Sequence, residues 1–174
     1  EYVEIIKIQH DPEAIKYYQA SLLKLKMFEK LNGQKIDFSG LEFTNIDLSN
    51  LDLSGSNVSK AKFSEVKINN SKFENVDFSG ALFSSLEAKN TSFKNSTFQE
   101  AEMRFPNFEN VDFSGAIFTN AELAQGIGKN VNFTNSNFRG AKFFFKEYDN
   151  IDLTNADFTN AVAHRLNGMN LNGT

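Results

Sequence analysis

The sequence predicts an all-β solenoid: one chain wound into a square coil of very short parallel strands, behind an N-terminal helical cap. Three observations predict it. A large apolar residue recurs at nearly every fifth position from Phe38 to Phe158 with no insertion or deletion, Ala88 and Gly128 excepted. The residue two before is nearly always small or aliphatic, and the residue two after is mostly Asn or Gly. A helix face repeats near 3.6 residues and a strand face at 2, so a spacing of five belongs to neither element alone.

The period comes first. Residues 107–123 read NFENVDFSGAIFTNAEL, with Phe at 108, 113 and 118 and Leu123 in the next place. Stepping by five from Phe38 to Phe158 gives 25 centres, of which 15 are Phe. Call each centre i. Position i−2 is Ala, Ser, Thr, Val, Ile or Leu except at Pro106, Gly126 and Lys146. Position i−1 is mostly charged or Asn, and i+1 is often Ser or Thr.

Alternate residues of an extended segment point the same way, so i−2 and i face inward together. Positions i+1 and i+2 then form a corner, where Gly and Asn tolerate the positive φ that a type II turn requires. A corner every five residues suits a chain that coils. Four pentads make a square coil of 20 residues, and each side stacks on the side 20 residues later through parallel backbone hydrogen bonds. The stacks are apolar: Phe38, Val58, Phe78, Phe98, Phe118, Phe138 and Phe158 on the first side, and Leu53, Phe73, Phe93, Phe113, Phe133 and Leu153 on the fourth. Small i−2 residues leave room for rings in a narrow interior.

Units such as Val-Asp-Phe-Ser-Gly (76–80 and 111–115) and Ala-Asp-Phe-Thr-Asn (156–160) resemble the A(D/N)LXX unit of pentapeptide repeat proteins. The resemblance covers residues 36–160, with Phe preferred over Leu at the centre. It implies the family fold, a right-handed quadrilateral β-helix. A hexapeptide β-helix would need a period of six.

A solenoid exposes core and backbone at its ends and needs caps. Residues 1–35 form the expected N-terminal cap. Asp11-Pro12-Glu13 is a helix start and Asn32-Gly33 a stop. Between them Ile15, Tyr18, Leu22, Leu25 and Phe28 make one apolar stripe, so a helix is expected over 12–31 and a short strand over 2–8. Residues 36–174 form the β-helix. Near its end HRLNG (164–168) and MNLNG (169–173) are three residues out of register with Phe158, which predicts a loop near 161–163 and a final partial coil. No cap helix follows. The bare last coil is either a homodimer face, as the resemblance implies for some members, or a frayed end.

The chemistry is sparse. The chain has no cysteine, and His10 and His164 sit near opposite ends without metal or triad spacing. Gly126-Ile127-Gly128 lacks the further glycines and lysine of a phosphate loop. No enzyme activity, metal or cofactor is expected. A net charge of −4 argues against a basic field for nucleic acid, and no apolar run is long enough to span a membrane. A cytoplasmic location is expected, although a chain beginning at Glu1 also fits removal of a leader. Outward charges 20 apart alternate in sign: Glu42 with Lys62, Asp47 with Lys67, Asp52 with Lys72, Lys67 with Glu87, Glu122 with Lys142. Exposed pairs of this kind contribute at most about 1 kcal/mol each.

One region breaks the pattern. At the corner of the second and third sides, Phe105, Phe144 and Phe145 fall at outward positions, with Ile127 and Tyr148 on the adjoining third side. An aromatic cluster on a surface marks a contact site. The other reading is a bulge that turns these rings inward, over the space left by Gly128 and Lys146. The function expected is a non-enzymatic protein-interaction scaffold using this edge. The family resemblance adds a runner-up: some pentapeptide repeat proteins mimic DNA and bind DNA gyrase, giving quinolone resistance. That mimicry uses a strongly acidic face and loops, and this chain has neither within 36–160.

Overall fold

The computed structural model describes residues 36–164, 166 and 169–174. The cap expected over 1–35, with its helix at 12–31 and strand at 2–8, lies outside the described residues.

The rest is the expected four-sided parallel solenoid of about six turns. Nine strands run in chain order: β1 (Glu42–Thr44), β2 (Lys62–Ser64), β3 (Leu82–Ser84), β4 (Glu87–Ser92), β5 (Glu102–Arg104), β6 (Asn107–Asp112), β7 (Glu122–Asn132), β8 (Lys142–Asp152) and β9 (Val162–Ala163). Every pairing is parallel, and the register along the second side steps by twenty: Phe43, Phe63, Phe83, Met103, Leu123, Phe143, Ala163. The other sides stack through isolated bridges with the same step, such as Asp37 with Asn57 and Asp47 with Lys67.

Centres and i−2 residues together fill the interior. The Phe78, Phe98, Phe118, Phe138 and Phe158 rings stack with centroids 4.7, 4.9, 4.8 and 4.7 Å apart. Their neighbours in the fourth-side column meet them edge-on, as Phe93 meets Phe98 at 5.6 Å and 67°. Parallel columns at right angles give each ring both stacked and T-shaped partners, the two favourable aromatic geometries.

The corners explain the rest of the repeat. Asn and Gly at i+2 hold positive φ, for example Asn70 at 54° and Gly80 at 65°. The i−1 Asp or Asn accepts a hydrogen bond from the i+1 backbone N–H: Ser39 to Asp37 at 2.9 Å, Ser79 to Asp77 at 2.9 Å, Thr134 to Asn132 at 2.9 Å. Each such bond closes a local turn on the side chain. Along one edge, Asn50, Asn70, Asn90, Asn110, Asn130 and Asn150 form a ladder of side-chain amides with steps of 2.9 to 3.4 Å.

Some corners borrow a hydroxyl from the next coil. Buried Ser96 accepts from the Val76 N–H at 3.0 Å and donates to the Phe73 carbonyl. Ser71 bridges Leu51 N–H and Leu48 carbonyl in the same way, both at 3.2 Å.

The shortening near the C-terminal end falls later than the sequence pattern placed it. Val162 and Ala163 still pair twenty residues on, with Lys142 and Phe143. Asp152 pairs with Asn170, eighteen residues on. The pairing step therefore shortens by two residues between Ala163 and Asn170.

Candidate functional site

The second and third sides meet at a corner whose i+2 column is Asn45, Glu65, Ser85, Phe105 and Gln125, all at positive φ. Phe105 has φ 55° and is 54% exposed. It is the only aromatic among the described residues with positive φ. In that conformation Cβ crowds the following carbonyl, and a bulky residue pays the full penalty. Beside it on the third side, Ile127 is 42% exposed, and its N–H donates to the Pro106 carbonyl at 2.8 Å. Phe105 and Ile127 thus flank the same corner in successive coils.

The other three expected edge residues behave differently. Phe145 is not outward: it is 3% exposed and its ring meets Phe143 at 5.0 Å, Phe108 at 6.2 Å and Phe133 at 6.5 Å. The pairing of β7 with β8 shifts register here, so that Phe145 rather than Lys146 sits opposite Gly126. Lys146 is exposed instead of inward. A side chain on Gly126 would meet Pro106 at 2.9 Å and Phe145 at 3.0 Å, and one on Gly128 would meet Ile151 at 2.9 Å and Phe145 at 3.1 Å. The two glycines leave a hole and the Phe145 ring fills it. Tyr148, opposite Gly128, is half-buried against the core. Phe144 is half-buried under the exposed His164, with ring centroids 5.1 Å apart. The edge therefore reduces to Phe105 and Ile127, with Phe144 two coils from Phe105.

Around them the second side is a flat ladder with one hollow of about 360 Å³, lined by Lys62, Ser64, Leu82, Ser84, Glu102 and Arg104. Leu82 is 40% exposed in a column that carries charge at Glu42, Lys62, Glu102, Glu122 and Lys142 and ends on the exposed Val162. This feature escaped the repeat pattern, because a lone Leu at i−1 carries no periodic signal. The cavity among the first-coil rings holds only about 10 Å³, about one water-sized probe. No group of three metal-ligating side chains occurs among the described residues. No helix among them is long and apolar enough to cross a membrane.

Two of the expected charge pairs form salt bridges. Lys62 pairs with Glu42 at 2.6 Å and Lys142 with Glu122 at 3.2 Å. Asp47 and Asp157 titrate below the usual carboxylate range. The hydroxyls of Ser49 and Thr159 and their backbone N–H groups bond the ionised forms, helped by Lys67 and Arg139 respectively.

A family model for pentapeptide repeats matches eight copies, over residues 34–75, 61–99, 71–115 and 107–143. The chain belongs to the pentapeptide repeat family. Among solved structures it is similar to the pentapeptide repeat protein Rfr23 from the cyanobacterium Cyanothece 51142, at 16% identity and a TM-score of 0.60, covering 80% of this chain and 98% of that one. QnrB1, a plasmid-mediated fluoroquinolone resistance protein, matches at 20% identity and a TM-score of 0.43, over 78% of this chain and 82% of that one. A thylakoid-lumen pentapeptide repeat protein from Arabidopsis thaliana matches at 24% identity and a TM-score of 0.38, over 62% and 64%. At 16% identity the likeness to Rfr23 is one of fold. No curated protein matches the chain.

Proposed function

We propose that this pentapeptide repeat protein is a non-enzymatic scaffold that binds another protein through the edge at Phe105 and Ile127. One observation carries the reading. Phe105 occupies a left-handed corner that Asn fills elsewhere, and it buries less than half of its surface in return. Both choices cost stability, and strain of this kind collects at functional positions. A rigid edge with an aromatic anchor and an aliphatic neighbour is the usual centre of a protein contact.

The test compares wild type with Phe105→Asn and Ile127→Ser in capture from lysate of the source organism, with Ser85→Asn as a control in the same corner column. A partner lost with Phe105→Asn and Ile127→Ser but kept with Ser85→Asn supports the edge. The same partners with all four proteins would overturn it. DNA gyrase, the runner-up partner, is tested separately by adding the protein to a supercoiling assay. Its case is weakened by charge: residues 36–55 carry four acids and no cation, but residues 56–75 carry four lysines and two acids, so the acidic belt is one coil deep.

A further inference from the structure

The second side carries a charge pattern that is complementary to itself. Its i−1 column reads Glu42, Lys62, Leu82, Glu102, Glu122, Lys142, and its i+1 column Thr44, Ser64, Ser84, Arg104, Ala124, Phe144. Turn a second copy antiparallel, with the third coil of one against the fourth coil of the other. Glu42 then faces Lys142, Lys62 faces Glu122, and Leu82 faces Glu102. In the other column Arg104 faces Ser84 and Ala124 faces Ser64. Every full charge at the ends of the face meets its opposite, and next to the axis each copy carries a Glu102–Arg104 pair that is neutral in itself.

The other three sides fail this operation in the same register. On the third side Asp47 would meet Glu147, and on the fourth Asp52 would meet Asp152. The first-side column over the same coils, Asp37 to Asn137, contains no cation.

We propose that the second side is a self-association surface, on which a second copy of this chain docks antiparallel about a two-fold axis between the third and fourth coils. At the centre the two copies of Leu82, each 40% exposed, come within one coil spacing of each other across the axis, beside the Glu102–Arg104 ion pair of each copy. The ends are charged and exposed, with Glu42 and Lys62 at 59% and 54%. The hollow over Ser64 and Ser84 lies where Arg104 of the second copy enters. Ser64, Ser84 and Ala124 are small enough to let the two flat sheets approach. The face is roughly 30 Å long and 15 Å wide, near the lower limit of specific interfaces, and the dimer weakens with salt.

The geometry makes a distinctive test possible. Within one chain Glu42 and Lys142 lie five coils apart, about 24 Å, and Lys62 and Glu122 three coils apart, about 14 Å. A zero-length carbodiimide cross-link between either pair can arise only between two copies. Both cross-links are expected, with a dimer fraction that rises with concentration in sedimentation equilibrium. Exchanging Glu122 with Lys142 (E122K/K142E) keeps the pair within the chain but opposes like charges across the axis, and a monomer is expected. Exchanging Glu42 with Lys62 as well restores both sets of pairs, and the dimer returns. A protein that stays monomeric throughout would overturn the proposal. So would a dimer indifferent to the first exchange, which would place the contact elsewhere, such as the C-terminal coil.

Discussion

The ring of Phe145 stands in the space that a side chain at Gly128 would fill, with the missing Cβ position 3.1 Å from its Cε1. The two residues belong to successive coils and depend on each other. Gly128→Ala should cost about 1–3 kcal/mol through overpacking against Phe145 and Ile151. Phe145→Ala should cost about 3–5 kcal/mol by opening the hole. The double variant should cost less than the sum by at least about 0.5 kcal/mol, because each change relieves the other. Urea unfolding of the four proteins measures this coupling, and strict additivity would show that the two do not share one volume.

Phe98 tests the aromatic columns. It is fully buried, stacked on Phe78 and Phe118 at 4.7 and 4.9 Å and edge-on to Phe93 and Phe113. Phe98→Ala should lose about 3–5 kcal/mol. Phe98→Leu should lose less, since Leu53 and Leu123 occupy buried centres in this same chain. Denaturant midpoints for the two variants decide the order.

Ser96→Ala removes the hydroxyl that bridges Val76 N–H and Phe73 carbonyl, leaving a buried donor without its acceptor. The expected loss is about 1–3 kcal/mol. Ala101→Ser is the converse control. A hydroxyl there would face the Ala81 N–H, which already donates to the Phe78 carbonyl at 3.0 Å, so it gains nothing. Equal stability of Ser96→Ala and wild type would remove the bridge from the account.

Most of the architecture is legible in the sequence because each rule acts on one residue class at one phase. Asn70 or Gly80 reports a left-handed corner by itself, and Phe98 reports the interior by itself. The charge pairs Glu42 with Lys62 and Glu122 with Lys142 follow once the coil length is known. The bulge does not read out so simply. Phase alone puts Phe145 outside and Lys146 inside, but burying an ammonium among rings costs far more than shifting one register. The decisive residues, Gly126 and Gly128, lie twenty residues earlier. The bond from the i−1 Asp to the i+1 N–H is equally hidden, since Asp in that place reads first as surface charge.

At two corners, hydroxyl and backbone N–H bonds to the Asp together give the fold an acid limb. The folded pKa of Asp47 and of Asp157 lies below the ordinary value of 3.8, chiefly through hydrogen bonds from Ser49 and Thr159. The folded state therefore favours the ionised form. The resulting stability is present above about pH 4 and is lost as pH falls through the depressed folded values. Asp157→Asn should keep the backbone bond, as Asn132 and Asn137 do at 2.9 and 3.0 Å, but remove the titration. Thermal midpoints between pH 7 and pH 2.5 should fall less steeply in the variant. A fall as steep as that of wild type would assign the acid limb to other carboxylates.

Phe105 offers the sharpest contrast between folding and function. Its φ of 55° lies in a region that a bulky side chain enters at a cost of roughly 1–2 kcal/mol, and Asn enters more cheaply. Its ring is 54% exposed, so little packing is forfeited by removing it. Phe105→Asn should therefore stabilise the protein, by about 0.5–1 kcal/mol, and raise the midpoint of thermal unfolding. Gln125→Asn, in the same column one coil on, should gain less because Gln is less bulky near the backbone. If Phe105 is a binding residue, the stabilised variant should also lose its partner. A variant that is more stable and still binds would leave the strain at Phe105 without a functional reason, whereas a destabilised variant would mean that the ring packs against its neighbours more than its exposure indicates.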